Sequence, residues 1–254
     1  MASSDVTESG VVVQVQVQED PYRSHIYGEG EKDTVWRTGA TPNYEVVNRL
    51  FEEGRTNVWA PGTREEKVQR LLKTWEMELV HKVRPQDYKV IDAEAFSHSV
   101  NGTPGKSLAE VGLIGSYNQF LQTSLPEELR AYDPSKYTLE EAQNTFLNAF
   151  PRGFAVEILE VYSGPPKVAY KFRHFSTFDG PFQGHAPTGE LVQLIGISIF
   201  TVDESTNKVG QVEFFYDPGE LIGDLLKGPL LDGSEAPKAS GSISGCPVLS
   251  KLHI

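Results

Sequence analysis

The chain has 254 residues, of which 39% are hydrophobic and 10% aromatic, and its formal net charge is −12. This length and composition suffice for one sizeable core, while the negative charge argues against binding nucleic acid through a basic surface. A single cysteine, Cys246, excludes an intrachain disulfide, and no apolar run reaches membrane-spanning length.

The N-terminal part, residues 1–20, is predicted to be a mobile segment. It has neither the basic region nor the apolar core of a signal peptide, so we expect a cytoplasmic protein. Residues 11–18 alternate strictly between apolar and polar, which is typical of an edge strand but equally compatible with an unpaired terminal segment. Residues 21–42 carry several aromatic residues without a helical period and predict an extended arm wrapped on the core.

Helices are predicted in the first half of the chain. Residues 43–54 have an apolar side and end at Gly54. The sequences Thr63 to Glu66 and Ser107 to Glu110 read as capping boxes that open the next two helices, and Thr138 opens a third. The apolar periodicity carries these helices to about residues 83, 121 and 150, with a short strand predicted at residues 95–100.

Four successive strands are predicted in the second half, at residues 154–162, 168–175, 190–200 and 209–216. Short turns join most of them, so we expect an antiparallel meander. The third strand is almost entirely apolar, which indicates that both faces of the sheet are covered. Helices earlier in the chain can cover one face, and a second subunit can cover the other. After a short helix, residues 233–254 form a Ser/Gly/Pro-rich tail that is predicted to be mobile, leaving a single α+β domain over residues 21–232.

Motifs in these strands carry a family resemblance. Gly184 to Gly189, Gly196 to Phe200 and Phe215 to Asp217 occur in an order that resembles the SnoaL-like branch of the nuclear-transport-factor-2-like superfamily. That resemblance implies a cone-shaped, curved antiparallel sheet of the cystatin-like or SnoaL-like kind. The N-terminal helices would lie over its concave face and enclose an apolar pocket.

A closer resemblance extends over roughly residues 20–232. Segments spread through the chain resemble the plant pathogen-related protein family, whose name implies induction on infection but no established reaction. The segments are Tyr27 to Trp36, Pro42 to Tyr44, Leu50 to Arg55, Lys73 to Met77, Ala149 to Phe154 and Lys171 to His174.

The resemblance also suggests which residues line the pocket. SnoaL-like cyclases move a proton with an Asp or His at positions that correspond here to Phe178, Ser198 and Val212. Replacing that polar set weakens the enzyme hypothesis and favours a pocket that binds a hydrophobic small molecule. The predicted lining residues are Trp75, Tyr117, Tyr170, Phe172, Phe178, Ser198 and Val212.

Three other polar residues are candidates for a proton shuttle. His98 either lines the pocket or is an ordinary surface or hydrogen-bonded histidine. His174 shares a face with Tyr170 and Phe172, so it is either a general base or a hydrogen-bonded core residue. Glu213 qualifies only if its face of the last strand is the concave one, which parity alone does not decide. The histidines lack metal-ligand spacing and no phosphate-binding glycine loop occurs, so no metal or cofactor is predicted.

These observations lead to three hypotheses. The first is a non-catalytic or accessory protein of plant defence and specialised metabolism that binds a hydrophobic small molecule. It would assist an isoprenoid or polyketide biosynthetic enzyme such as a monooxygenase. The second is a SnoaL-like cyclase or isomerase that uses His98, His174 or Glu213. The third is a homodimeric protein-docking module.

Overall fold

A computed structural model describes residues 19–231 and residue 233. The possible strand at residues 11–18, Cys246 and the tail beyond residue 233 lie outside these residues. The helices of the described part are α1 (Glu45–Gly54), α2 (Arg64–His81), α3 (Leu108–Ile114), α4 (Ser116–Phe120), α5 (Leu139–Ala149) and α6 (Pro218–Leu225). Its strands are β1 (Ser97–Val100), β2 (Ala155–Val161), β3 (Lys167–Thr177), β4 (Leu191–Val202) and β5 (Val209–Phe215).

Side-chain caps start four of these helices, α2, α3, α5 and α6, because the first amides of a helix have no partner within it. Ser107 and Thr138 form reciprocal capping boxes with Glu110 and Glu141, as the sequence predicts for the first of them. Thr63 caps α2 by accepting the Glu66 N–H. The Glu66 carboxylate does not complete that box, since it accepts the Gly62 N–H and the Arg70 guanidinium instead.

The helix expected from Ser107 to Leu121 is divided into α3 and α4 at Gly115. This glycine has φ of 86°, a left-handed conformation that breaks the helix and that side chains other than glycine rarely adopt. A Cβ at this position would also lie 2.9 Å from Leu139 Cγ. The break therefore comes from the backbone conformation and from the close approach of α5, neither of which the apolar periodicity reveals.

The sheet has the strand order β1-β5-β4-β3-β2. The four predicted strands form the antiparallel meander, while β1 joins the open edge of β5 in parallel, which makes the sheet mixed. Register shifts in β2 and β5 bend the sheet, as bulges do. The α+β class with helices over one face of a curved sheet is confirmed.

The main core lies between helices α2 to α6 and the face of the sheet that they cover, which we call the inner face. The helices contribute apolar side chains such as Trp75, Leu79, Val111 and Phe146, which meet Phe172, Phe200 and Phe214 of the sheet. Residues 19–42 lie along α2, where Ile26 and Trp36 pack with Met77 and Trp36 bridges to Lys82.

The outer face of the sheet is covered at one end by the chain itself. Helix α1 places Leu50 and Phe51 against Ala155 and Phe175. Beside them Arg173 forms a buried ion pair with Glu157 at 2.7 Å, and Glu157 also accepts the Thr56 N–H. Part of the cover that was expected from a second subunit is therefore supplied by α1.

The exposed edge of β2 is capped by side chains. The Ile158 N–H donates to Gln69 Oε1, the Trp59 indole N–H donates to the Ile158 carbonyl, and Arg64 donates to the Val161 carbonyl. An uncapped edge would be free to pair with another strand, so these contacts disfavour growth of the sheet in that direction.

Candidate functional site

A group of uncharged polar side chains is buried between α2, α4 and the inner face of the sheet. We call these residues the polar cluster: Trp75, His98, Gln119, Tyr170 and Ser198. Helix α2 supplies the first, β1 the second, α4 the third, and the neighbouring strands β3 and β4 supply Tyr170 and Ser198, which are register partners.

Aromatic rings hold the polar cluster together. The Trp75 ring lies 5.5 Å from the His98 ring and 5.2 Å from Phe200, and Tyr170 lies 5.3 Å from the same Phe200. On the other side, the His98 ring is 5.4 Å from Phe214. Gln119 joins the cluster by donating to the His98 carbonyl at 3.1 Å. These contacts fix polar side chains in an otherwise apolar environment.

The polar atoms of this cluster have an unusual property. The Trp75 Nε1, both His98 ring nitrogens and Gln119 Oε1 are buried and have no hydrogen-bond partner among residues 19–231 and 233. The buried Tyr170 hydroxyl and Ser198 Oγ have only each other as partners in this part of the chain. Buried polar groups in proteins are nearly always paired, and each unpaired one costs about 1–3 kcal/mol. Several such atoms in one place suggest a site made to receive hydrogen-bonding groups.

Burial also sets the charge of these groups. Desolvation lowers the pKa of His98 to about 3, so its imidazole is neutral near pH 7 and offers one N–H donor and one acceptor. Desolvation raises the pKa of Tyr170 well above its usual value, so its hydroxyl keeps its proton. The polar cluster is therefore neutral and offers both donors and acceptors.

His174 lies farther along the same face and has a different environment. Its Nε2 is 3.2 Å from Glu76 Oε1 of α2, and its ring stacks on Phe154 at 5.0 Å. The other ring nitrogen, Nδ1, is buried without a hydrogen-bond partner in the described part of the chain. A carboxylate that holds one nitrogen while the other stays unengaged is the arrangement of an oriented histidine base.

The predicted pocket residues fall into two groups. Trp75, Tyr170 and Ser198 belong to the polar cluster. Phe172 and Val212 lie beside it on the inner face, where Phe172 follows Tyr170 by two residues in β3 and Val212 is the register partner of His98. The other two lie apart from the cluster. Tyr117 stacks on Phe146 at 4.6 Å, with its pKa raised to about 12 by burial, and Phe178 is buried just beyond the far end of β3.

The structure places the three shuttle candidates in three environments. His98 lies in the polar cluster and His174 faces Glu76. Glu213 lies on the outer face, where it pairs in register with Ser99 and Ile199. Its strand neighbours Val212 and Phe214 point inward, so Glu213 cannot act together with either histidine.

Two polar residues of the site were not predicted from the sequence. The apolar periodicity does not identify Gln119 as a site residue, because the break at Gly115 changes the phase of the helix and turns this side chain inward. Glu76 directly follows Trp75 on α2, beside the apolar stripe, and no spacing rule pairs it with His174. Its only sequence signal is its place within the segment Lys73 to Met77, which carries part of the family resemblance.

Residues 19–231 and 233 contain no group of three or more His, Cys, Asp or Glu side chains placed to hold a metal ion. None of the helices in this part of the chain is long and apolar enough to cross a membrane.

Comparison with solved structures gives only partial similarities. One neighbour is assigned as a SnoaL-like polyketide cyclase from Jannaschia sp. CCS1, with 18% identity, a TM-score of 0.33 and coverage of 73% of this chain and 92% of that one. Another is assigned as a polyketide cyclase from Acidithiobacillus ferrooxidans, with 12% identity, a TM-score of 0.39 and coverage of 67% and 100%. At these values the similarity carries no conclusion about activity.

No family model matches the chain. One curated protein is similar to it over nearly its whole length. The "Pathogen-related protein" of Hordeum vulgare is 54% identical over 232 residues, which are 91% of this chain and 95% of the relative. Identity of this level over nearly the whole of both chains confirms the closer of the two resemblances found in the sequence. The chain belongs to the pathogen-related protein family.

Proposed function

We propose that the protein binds a hydrophobic small molecule at the polar cluster and acts as a non-catalytic or accessory protein of plant defence and specialised metabolism. The unpaired polar atoms of Trp75, His98 and Gln119, beside the buried hydroxyls of Tyr170 and Ser198, carry this proposal. The name of the barley relative supports the association with defence.

The energetics of the polar cluster favour a ligand. Replacing these side chains by apolar ones of similar shape would remove several desolvation penalties, so they reduce the stability of the empty protein. A molecule that hydrogen-bonds to them would remove the same penalties. The polar cluster is therefore explained more simply as a recognition site than as packing.

The same groups define the chemistry of the ligand. The cluster is neutral and enclosed by Phe200 and Phe214, so an ion would lose its hydration without gaining a counter-charge. An apolar skeleton with one or two hydroxyl or carbonyl oxygens fits both the rings and the unpaired donors and acceptors. Isoprenoid alcohols and ketones and polyketide-like aromatics have this chemistry.

Binding to a panel of such compounds, followed by native mass spectrometry, tests the proposal. His98→Leu and Ser198→Ala should each weaken the affinity of a bound compound by about tenfold, because each loses a buried hydrogen bond worth roughly 1.4 kcal/mol. Ser99→Ala is the matched control, since Ser99 neighbours His98 in β1 but faces the other side of the sheet. Equal affinity in all four proteins, or no saturable binding by any compound, would exclude the polar cluster as a ligand site.

The accessory role needs its own experiment. Protein purified from infected plant tissue should retain either a small molecule or a biosynthetic enzyme such as a monooxygenase. A retained compound names the class to test for turnover, and a retained enzyme supports the assisting role. Recovery of neither would remove the support for this part of the proposal.

A second candidate function is proton transfer by His174. The 3.2 Å contact with Glu76 and the unpaired Nδ1 favour it, because a positioned imidazole beside a carboxylate is suited to act as a general base. With an isomerisable ketone from the panel, His174→Ala should lower kcat by about a hundredfold or more. Glu76→Gln should lower it less, and the double variant should lose no more than His174→Ala. Unchanged turnover in His174→Ala would eliminate this function.

A third candidate is homodimeric docking through the uncovered part of the outer face. We call this the outer patch: Leu191, Ile195, Ile197, Ile199 and Phe215. Leu191, Ile195 and Phe215 are 56%, 41% and 40% exposed, a grouping that is uncommon on a monomer.

Charges beside the outer patch suit a second copy of the same chain. Lys171 of β3 is the register partner of Ile197 on one side, and Glu213 of β5 is the register partner of Ile199 on the other. A twofold axis along β4 would bring Lys171 of each copy to the β5 side of the other, where Glu213 lies. A twofold interface must be self-complementary. Placing Lys171 of one copy near Glu213 of the other meets this requirement.

A further inference from the structure

A cleft of about 410 Å³ lies between the segment that joins α4 to α5 and the beginning of α6. Its volume falls within the range of small-molecule sites, about 300–1,000 Å³. Most of its wall is apolar or aromatic, with contributions from Leu121, Leu125, Leu129, Tyr132, Tyr216 and Ile222.

The polar side chains around the cleft are mainly engaged with the protein itself. Asn101 uses its amide to donate to the Tyr216 carbonyl and to accept the Tyr216 N–H. Asp217 accepts the Gly219 N–H, while Arg130 donates to the Leu125 carbonyl and to Asp133. The surface left for a ligand is therefore chiefly apolar, which favours a hydrophobic molecule over an anion.

The rim of the cleft exposes large apolar side chains to solvent. Leu125 and Leu129 are 47% and 49% exposed, and both belong to the segment between α4 and α5. An apolar molecule in the cleft would cover these side chains and remove their surface from water.

One aromatic layer separates the cleft from the polar cluster. Tyr216 lines the cleft, while its ring also packs 4.7 Å from Phe120 and 6.2 Å from Phe214. Its hydroxyl donates to the Phe120 carbonyl, and Phe214 in turn lies 5.4 Å from His98. Phe120 is the last residue of α4, so it is attached directly to the segment that forms the cleft.

We propose that this cleft binds the apolar part of a small molecule, and that Tyr216 and Phe120 form a partition through which the molecule reaches the polar cluster. The passage to the cluster rests on the proposed function, whereas binding in the cleft does not. The ligand class is a neutral, apolar molecule whose oxygen function points toward Tyr216. Outward movement of Phe120 with its segment would open the cleft toward the polar cluster.

Blocking the cleft tests whether it binds. In a Cys246→Ser background, Leu125→Cys is alkylated with N-benzylmaleimide, and affinity is measured for the neutral probe N-phenyl-1-naphthylamine. The label should weaken the affinity by about tenfold or more, because it occupies the apolar wall. Leu113→Cys, labelled in the same way, is the matched control, since Leu113 is 79% exposed on α3 and does not line the cleft. Equal affinity in both labelled proteins would overturn the cleft as a site, and so would failure of the unmodified protein to bind the probe.

Rates of association test the partition. Tyr216→Ala should accelerate association of a panel compound by about tenfold, and Tyr216→Phe, which keeps the ring and loses only the bond to Phe120, should accelerate it less. His98→Leu should act mainly on dissociation. Association rates that stay the same in both Tyr216 variants would overturn the partition.

The two proposals fail in different ways. If labelling at residue 125 weakens probe binding but His98→Leu affects no compound, the cleft stands and the proposed function is lost. If His98→Leu weakens binding and the label does not, the proposed function stands and the cleft is lost.

Discussion

His174 on β3 and Glu76 on α2 face each other with 3.2 Å between Nε2 and Oε1. This contact ties the longest described helix to a strand beside the β2 edge of the sheet, and it leaves the second nitrogen of the ring buried and unengaged within the described residues. The pair thus has both a structural and a potential chemical role, which substitutions of Glu76 can separate.

Glu76→Leu removes the partner of a buried imidazole and should lower the free energy of unfolding by about 1–3 kcal/mol. Glu76→Gln keeps an acceptor at the same position, so we expect a smaller loss. Urea unfolding at pH 7 measures both values. Equal losses in the two variants would mean that Glu76 contributes packing and no specific contact to His174.

Gly115→Ala should destabilise the protein by more than 1 kcal/mol, because alanine is strained at φ of 86° and its Cβ would meet Leu139. Gly112→Ala provides a matched control one turn earlier in α3. No heavy atom lies within 4 Å of a Cβ there, so the better helix propensity should stabilise the protein by about 0.5–1 kcal/mol. Thermal unfolding would contradict this account if both variants shifted in the same direction.

The same glycine shows where sequence reasoning reached its limit. Capping boxes and alternation depend on neighbouring residues, so α2, α5 and the strands of the meander could be predicted close to their bounds, whereas only the start of α3 was. Gln119 could not, since its inward position depends on a backbone break that periodicity does not register. The pairing of Glu76 with His174 was equally hidden, because it depends on how α2 crosses β3 and on no local pattern.

The side of Glu213 illustrates a second limit. Alternation divides the residues of β5 into two sets but does not say which set meets the helices. Only the packing of α2 against the sheet assigns Val212 and Phe214 to the inner face. The outer-face ion pair of Arg173 with Glu157 has the same origin, because α1 had to be placed before that pair could be recognised as buried.

His98 should make the protein sensitive to acid. Its pKa is about 3 in the folded protein and about 6.5 when unfolded, so the unfolded chain binds more protons between these values. Stability is therefore intact above pH 6.5 and falls as the pH drops toward 3, by about 2 kcal/mol at pH 5 from this residue. His81, whose pKa burial lowers to about 4, should add to the loss in the same range.

His98→Leu should remove that part of the pH dependence and should leave stability at pH 7 unchanged or higher, because two unpaired nitrogens disappear. Urea unfolding at pH 7 and pH 5 compares the variant with the unmodified protein. An identical difference between the two pH values in both proteins would show that His98 is not a neutral buried group.

Lys82 should be among the most sensitive charged residues. It is fully buried, and its ammonium lies 2.8 Å from Glu31 and 2.9 Å from Glu78, so it joins the N-terminal arm to α2. Lys82→Met leaves two buried carboxylates without their cation and should cost about 3–5 kcal/mol. Lys227→Met, at an ion pair exposed to solvent, should cost far less, because water screens that pair. If urea unfolding gave comparable losses for Lys82→Met and Lys227→Met, burial of the Lys82 ion pairs would not increase their contribution to stability.

The charges beside the outer patch allow the sharpest test of self-association. If two copies pack through Ile197 and Ile199, Lys171→Glu places like charges across the interface and should convert dimer to monomer in sedimentation velocity. Glu213→Lys should do the same. The double exchange restores opposite charges, so it should restore the dimer, which loss of folding or general electrostatic repulsion would not do. Val46→Lys is the control, because Val46 is 53% exposed on α1 and lies outside the outer patch. A monomeric unmodified protein, or a double variant that stays monomeric, would remove the outer patch as a dimer interface and leave its apolar side chains to another partner.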